Sequence, residues 1–294
     1  MQKKCILSLL LALTLVLTGC AAHTTDNAFS NWNAQVQESV DTEAEPWSYT
    51  ITTKSYPFNH SAEDGRVLVE GGYTLPVMEV FHADGTPYDA ATETYEPAMQ
   101  VAQRFNGFFA DRLTAWQQDY SEVCRLARQD YQAGGESWQQ EDYRYTDTVD
   151  ATFRTNQNMA CVTMTTDTFT GGAHGLRLRT AYNFDMRTGE EITINDMTQD
   201  YVGLRDAVAL EILGQIEGGK YVKYYENLGL FDDYEEIIPE WMSRTLFFGE
   251  KDMQVVFGVY DIAPYSAGDV AFTIPYTLIE PYLNDYGRLM LELD

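Results

Sequence analysis

The chain has 294 residues, of which 45 are Asp or Glu and 19 are Lys or Arg, so its formal net charge is −26 at pH 7. So acidic a chain repels phosphate, which argues against nucleic acid as a partner, and it equally disfavours an electrostatic attachment to anionic lipid. The charge favours a cationic partner, or else serves only solubility.

The first 20 residues have the organisation of a bacterial lipoprotein signal. Lys3 and Lys4 precede an apolar run at residues 6–17, which is too short to span a membrane and is typical of a secretory signal. Residues 17–20, Leu-Thr-Gly-Cys, match the lipobox of lipoproteins. We therefore predict a signal peptide at residues 1–19 and an extracytoplasmic protein anchored to the cell membrane by a lipid on Cys20. The alternative is an ordinary signal peptide that happens to contain a cysteine.

Residues 20–46 are polar and lack a sustained period, which predicts a flexible tether. Because Cys5 would leave with the signal and Cys20 would carry the lipid, Cys124 and Cys161 remain. An even pair in an exported protein suggests a Cys124–Cys161 disulfide. Two buried free thiols are the alternative.

Alternating apolar residues predict strands at residues 47–53, 66–69 and 73–81, with Gly71-Gly72 as a break between the last two. A long helix is predicted to begin at Pro97, with Thr94 or Glu96 as its cap, and to end at Gly134-Gly135. Its aromatic and apolar stripe is typical of a face that covers a sheet.

Alternating apolar residues also predict strands in the second half of the chain. A hairpin is predicted at residues 143–169 with its turn at 155–158, then strands at 176–184 and 191–194 around a turn that places Gly189 at positive φ. A second helix is predicted after Asp196, which would cap it. Residues 220–245 are acidic and rich in tyrosine, which indicates a solvated face. A further hairpin from residue 246, a strand at 271–274 and a short helix from 278 complete an α+β fold, in which small antiparallel sheets pack against one long and one shorter helix.

Two motifs carry a family resemblance. The sequences TGGAHG at residues 170–175 and VVFGVYDIAPYSAGDVAFTIPY at 255–276, with YNFDMRTGEEITINDM between them, resemble the C-terminal extracytoplasmic domain of RsiV-like anti-sigma factors. The preceding residues resemble the N-terminal half shared with PdaC-like deacetylases. The resemblance implies a PdaC-like half at residues 47–140 and an RsiV-like domain at 141–294.

The best-understood members of that family bind lysozyme, so the resemblance implies protein binding, with a cationic muramidase as the first candidate. Gly171, Gly172, His174 and Gly175 match the family's glycine–histidine loop, and its second loop is matched by Tyr260, Pro264, Tyr265 and Gly268. The cytoplasmic domain and the catalytic deacetylase domain of those families have no counterpart here, so a sigma factor is not expected as a direct partner.

The residues themselves offer one candidate for chemistry. His174 could contact a partner or act as a general base beside Asp167 or Asp185, or it could bond a carbonyl and lock its loop, which the glycines favour. The loop from Tyr260 to Gly268 could present interface anchors or only brace a sheet end. No nucleophile, metal-ligand spacing or cofactor motif accompanies them, so we expect no enzyme, metal or cofactor.

The sequence thus predicts a lipid-anchored extracytoplasmic binding protein that acts as a lysozyme sensor, decoy or inhibitor. The alternatives are an accessory module that binds cell-wall glycan or peptide and, third, an enzyme that acts on wall polymers.

Overall fold

The structure is a computed structural model that describes residues 37–38, 46–218 and 222–293. The predicted signal peptide at residues 1–19, the lipidation site Cys20 and almost all of the predicted tether lie outside the described residues. Within the described ranges, no helix is long and apolar enough to cross a membrane.

A seven-stranded sheet runs through most of the chain. Its strands follow one another in chain order, and every neighbouring pair is antiparallel except β3 and β4, which are parallel. That exception follows from the connection, because a crossover helix rather than a hairpin joins these two strands. The strands are β1 (Gln37–Glu38), β2 (Trp47–Ser61), β3 (Val67–His82), β4 (Tyr145–Thr155), β5 (Met159–Phe169), β6 (Leu176–Asp185) and β7 (Glu190–Ile192).

The predicted break at Gly71-Gly72 is wrong, because β3 continues through both glycines. Gly71 pairs with Asp147 of β4, and a Cβ atom built on Gly71 would lie 1.8 Å from the Asp147 carbonyl oxygen. The glycine therefore serves close approach of two strands rather than a turn. The predicted hairpin turn at residues 155–158 and the positive φ of Gly189, 74°, are both confirmed.

The crossover is the long helix α1 (Pro97–Ala133), which begins at the predicted proline and ends at Gly134 in the left-handed region. Glu96 is the N-cap residue, although its side chain makes no capping hydrogen bond. The helix packs on one face of the sheet through aromatic contacts, such as Phe105 against Phe184 of β6 with ring centroids 4.8 Å apart. The amide of Asn106 bonds both the N–H and the carbonyl of Met78, at 2.8 and 2.9 Å.

A second core lies around a three-stranded antiparallel sheet of order β10-β9-β8. The elements of this part are α2 (Tyr201–Glu217), α3 (Val222–Leu228), α4 (Tyr234–Ile237), β8 (Thr245–Phe248), β9 (Asp252–Phe257), β10 (Val270–Pro275), α5 (Tyr276–Ile279) and α6 (Asp285–Met290). The predicted α+β class is confirmed.

Two predictions for this part are wrong. The cap of α2 is Asp200, whose side chain accepts from the Gly203 N–H at 2.9 Å, whereas Asp196 accepts from Thr193 in the preceding turn. Residues 220–245 are not simply a solvated face, because Trp241 is fully buried in the second core. The many acidic residues in this segment made its overall composition polar, so composition did not indicate that Trp241 would be buried.

Cys124 and Cys161 are both free and buried, so the structure contains no disulfide between them. Cys124 belongs to α1, on one side of the sheet. On β5, Ala160 and Val162 face the α1 core, and strand periodicity turns Cys161 to the opposite side. The sheet therefore separates the two thiols. Burial raises the pKa of the Cys161 thiol to about 11.

Candidate functional site

The two motifs singled out in the sequence meet in space. We call residues 170–175, between β5 and β6, the histidine loop, and residues 258–269, between β9 and β10, the tyrosine loop. The His174 ring stacks on the Tyr265 ring, with centroids 3.9 Å apart and planes 14° from parallel. The Tyr265 hydroxyl donates to the Gly175 carbonyl at 2.5 Å. One tyrosine thus fastens the two loops together.

The histidine loop turns sharply because its glycines adopt conformations that other residues avoid. Gly171 and Gly172 have φ values of 96° and 85°. A Cβ atom on Gly171 would lie 3.1 Å from the hydroxyl oxygen of Tyr143 and 3.2 Å from that of Tyr145, so the backbone rests directly on these two side chains. The turn ends with the Gly175 carbonyl directed at Tyr265.

Buried side chains and a side-chain hydrogen bond anchor the tyrosine loop. Ile262 and Ala263 are buried in the second core, and the Asp261 carboxylate accepts from the Gly258 N–H at 2.8 Å. Pro264 leads into a 3₁₀ turn at Tyr265–Ala267, which ends at Gly268 with φ 68° and ψ −153°, a region populated almost only by glycine. The loop is therefore held in one shape before it meets any partner.

Tyr260 is the exposed aromatic residue of this surface. It has a positive φ of 68°, which is uncommon for a bulky side chain and costs about 1–3 kcal/mol. Its side chain is 56% exposed, and its ring lies 5.8 Å from the Tyr265 ring. Strain of this kind persists only where the surrounding structure holds it, and it concentrates at functional sites. We call Tyr260, Tyr265 and His174 the stacked-ring surface.

The acidic residues nearest to His174 in the sequence, one on each side, are bonded to arginines. Asp167 accepts two hydrogen bonds from Arg177, at 2.7 and 3.0 Å. Asp185 is buried and bonded to Arg187, so its pKa is lowered by these bonds against the opposing effect of burial. His174 itself bonds the Gly175 carbonyl through Nδ1 at 2.9 Å. Nδ1 is then the protonated nitrogen and donates to the carbonyl. This is the loop-locking arrangement, and neither Asp167 nor Asp185 orients the ring.

Two connections around the site were not predicted. Arg179 of β6 pairs with Asp269 at 2.6 Å, which joins the strand after the histidine loop to the end of the tyrosine loop. The Phe231 N–H donates to the Ile262 carbonyl at 2.8 Å. Phe231 precedes the exposed acids Asp232, Asp233, Glu235 and Glu236, so an acidic segment begins beside the tyrosine loop. No sequence pattern links residue 231 to residue 262, because the bond is a backbone contact between distant segments.

The structure therefore brings together the predicted binding residues His174, Tyr260, Pro264, Tyr265 and Gly268, along with the glycines of the histidine loop. Cys124 and Cys161 lie elsewhere, in the interior. Within the described ranges, no group of three or more His, Cys, Asp or Glu side chains is arranged to hold a metal ion.

This geometry defines a class of protein. It is an α+β protein that presents stacked aromatic rings on two anchored loops. Residues 239–277 match the model of DUF3298, a family described as a protein of unknown function, and this stretch includes the whole tyrosine loop. No curated protein matches the sequence.

Solved structures extend the likeness to the fold. A DUF3298 family member from Bacteroides fragilis aligns with a TM-score of 0.53 at 16% identity, over 83% of this chain and 97% of that one. A DUF3298 family protein from Pseudomonas aeruginosa aligns with a TM-score of 0.43 at 15% identity, over 80% of this chain and 95% of that one. The first alignment shows a shared fold.

Proposed function

We propose that this chain is a lipid-anchored, extracytoplasmic binding protein of the RsiV-like type, whose stacked-ring surface contacts a cationic protein. A lysozyme-like muramidase is the first candidate. The observation that carries the proposal is Tyr260, an exposed and strained aromatic residue next to a ring stack that fixes both loops. Aromatic residues on rigid supports are typical anchors of protein interfaces, because few rotamers are lost when they bind.

Charge supports a cationic partner. None of Asp232, Asp233, Glu235 and Glu236 makes an ion pair with the residues that the structure describes. Their carboxylates stay in solvent beside the tyrosine loop, where they would attract a basic surface and raise its association rate. The formal charge of −26 acts in the same direction over longer distances.

The geometry of His174 supports binding rather than catalysis. A general base needs a hydrogen-bond partner that sets its tautomer and a substrate proton within reach. The bond from Nδ1 to the Gly175 carbonyl sets the tautomer and leaves Nε2 as the acceptor, but Tyr265 covers one face of the ring, and Asp167 and Asp185 are both bonded to arginines and not to His174. We propose that His174 holds the Tyr265 ring in place for the partner.

The direct test is binding of lysozyme to the full-length chain in detergent micelles at an ionic strength of about 0.15 M. We expect saturable binding by isothermal titration calorimetry, and a Tyr260→Ala variant that binds at least about tenfold more weakly. Tyr95→Ala is the matched control, since Tyr95 is 88% exposed, lies two residues before α1 begins and is outside both loops.

Absence of binding at lysozyme concentrations of about 50 μM, which corresponds to less than about 6 kcal/mol of binding free energy, would reject lysozyme as the partner. Equal losses in the Tyr260 and Tyr95 variants would reject the surface but keep the partner. Sedimentation with purified peptidoglycan in the absence of lysozyme would favour the wall-binding alternative.

A further inference from the structure

A buried carboxyl group lies between α1 and the seven-stranded sheet. Asp147 of β4 is 5% exposed and pairs with Thr168 of β5, whose hydroxyl donates to Asp147 Oδ1 at 3.1 Å. On the other side of β4, the hydroxyl of Tyr73 on β3 lies 2.6 Å from Asp147 Oδ2. Burial of a carboxylate is costly unless a cation pairs with it, so the groups around Asp147 decide its protonation state.

The surroundings of Asp147 disfavour its charged form. Among the described residues, no arginine, lysine or histidine forms an ion pair with it. Burial raises the pKa of the Asp147 carboxyl above its usual range, the two hydroxyl bonds oppose that rise, and the negative charge of Asp119 adds to it. The polar and titratable groups that face Asp147 are Tyr73 of β3, Thr168 of β5, and Asp119, Tyr120 and Cys124 of α1.

The Tyr73 hydroxyl has one proton and lies between two acceptors. Its oxygen is 2.6 Å from Asp147 Oδ2 and 3.0 Å from the Trp116 carbonyl oxygen of α1. A phenol has a single proton to donate, so only one of these contacts can use it. Two oxygen atoms this close repel each other unless a proton lies between them. Both contacts are therefore hydrogen bonds only when the Asp147 carboxyl supplies a second proton.

We propose that Asp147 is a proton switch that controls how α1 is bonded to the sheet. In the protonated state, the carboxyl donates to the Tyr73 oxygen, and Tyr73 donates to the Trp116 carbonyl. When the carboxyl releases its proton to solvent, Tyr73 turns its own proton to the carboxylate, because a charged acceptor makes the stronger hydrogen bond. The Trp116 carbonyl then keeps only its bond within α1, and the middle of the helix loses its hydrogen bond to β3.

The switch acts on one part of α1. The bonds from Asn106 to the backbone of Met78 also join α1 to β3, and they involve no titratable group. We therefore expect the helix around Asn106 to stay bonded to the sheet at every pH, while the helix around Trp116 loosens as pH rises. Neither Asp147 nor Tyr73 belongs to the stacked-ring surface, so this proposal and the proposed function can fail separately.

Hydrogen exchange, measured by mass spectrometry on the full-length chain in detergent micelles, tests the switch. Protection factors are compared between about pH 4 and 8, because they correct for the direct effect of pH on intrinsic exchange. In peptides that contain Trp116, we expect protection to fall about three- to tenfold as pH rises, which is the effect of losing one hydrogen bond. Peptides that contain Asn106 should show constant protection.

Two variants fix the switch in its two states. Asp147→Asn places a permanent N–H donor beside Tyr73 and should keep the protection at Trp116 high at every pH. Tyr73→Phe keeps the ring but removes the hydroxyl, so protection there should be low and independent of pH. Asp150→Asn makes the same charge change at an exposed residue of β4 and should retain the wild-type pH step.

Constant protection at Trp116 in the wild-type chain would overturn the proposal. A pH step that persists in Asp147→Asn would also overturn it, since another group would then be titrating. If Tyr73→Phe does not fold, the comparison of Asp147→Asn with Asp150→Asn decides the question by itself.

Discussion

The contact between His174 and Tyr265 makes a quantitative prediction about how the two loops are coupled. A stacked aromatic pair contributes about 0.5–1.5 kcal/mol beyond the area that it buries, and a hydrogen bond such as that from Tyr265 to Gly175 contributes a similar amount. We expect Tyr265→Phe, which keeps the ring, to lower the free energy of unfolding by about 1 kcal/mol. Tyr265→Leu removes both interactions and should cost about 1–3 kcal/mol.

A double-mutant cycle isolates the stack. His174→Ala, Tyr265→Leu and the double variant are unfolded in urea, and the free energies are compared at equal m-values. We expect a coupling energy of about 1 kcal/mol, because the second substitution has no stack left to remove. Tyr95→Leu replaces an exposed tyrosine outside the loops and should show no coupling to His174. Additive effects within about 0.3 kcal/mol for the His174–Tyr265 pair would show that the stack stabilises nothing.

Further predictions concern strain, a buried carboxyl and two glycines. Tyr260→Gly relieves a positive φ and should raise the melting temperature while it weakens lysozyme binding; a fall in both would contradict the strain argument. Burial raises the pKa of the Asp147 carboxyl, against the opposing hydrogen bonds from Tyr73 and Thr168. Its folded-state pKa therefore exceeds the unfolded value, so its contribution to stability is complete below the unfolded pKa and is lost as pH rises through the folded one. Asp147→Asn should accordingly gain stability relative to wild type between about pH 4 and 7 in urea titrations, and a relative loss over that range would refute the direction of the shift. Gly71→Ala should cost about 3 kcal/mol or more, because the new Cβ meets the Asp147 carbonyl, whereas Gly107→Ala in the open interior of α1 should stabilise by about 0.5–1 kcal/mol; unfolding curves that place the two variants together would reject the close-approach argument.

Local signals in the sequence predicted much of the fold correctly. The start of α1 at Pro97 and its end at Gly134 depend on backbone preferences of those residues alone, and both were predicted. The N-cap of α2 was misplaced by four residues, because Asp196 and Asp200 are equally good caps in isolation. Only the turn at Thr193 and the position of Gly203 distinguish them.

The candidate site was predicted in its members but not in its geometry. His174 and Tyr265 stood out as residues of unusual loops, yet 90 positions separate them, and nothing local indicates that their rings would stack. The contribution of Phe231 could not be found at all from the sequence, since a backbone N–H carries no residue signature. Gly71 was misread for a related reason, because the carbonyl that requires a glycine there belongs to Asp147 on another strand.

The amino-acid sequence by itself determined the α+β class, the helix ends, most of the strands and the identity of the two loops, because periodicity and backbone preference act over a few residues. Only the tertiary structure decided that the loops meet through one tyrosine, that the two cysteines lie on opposite sides of the sheet, and that Tyr73 lies between Asp147 and the Trp116 carbonyl. Each of these depends on strand register and on the packing of α1 against the sheet, which distant residues set together.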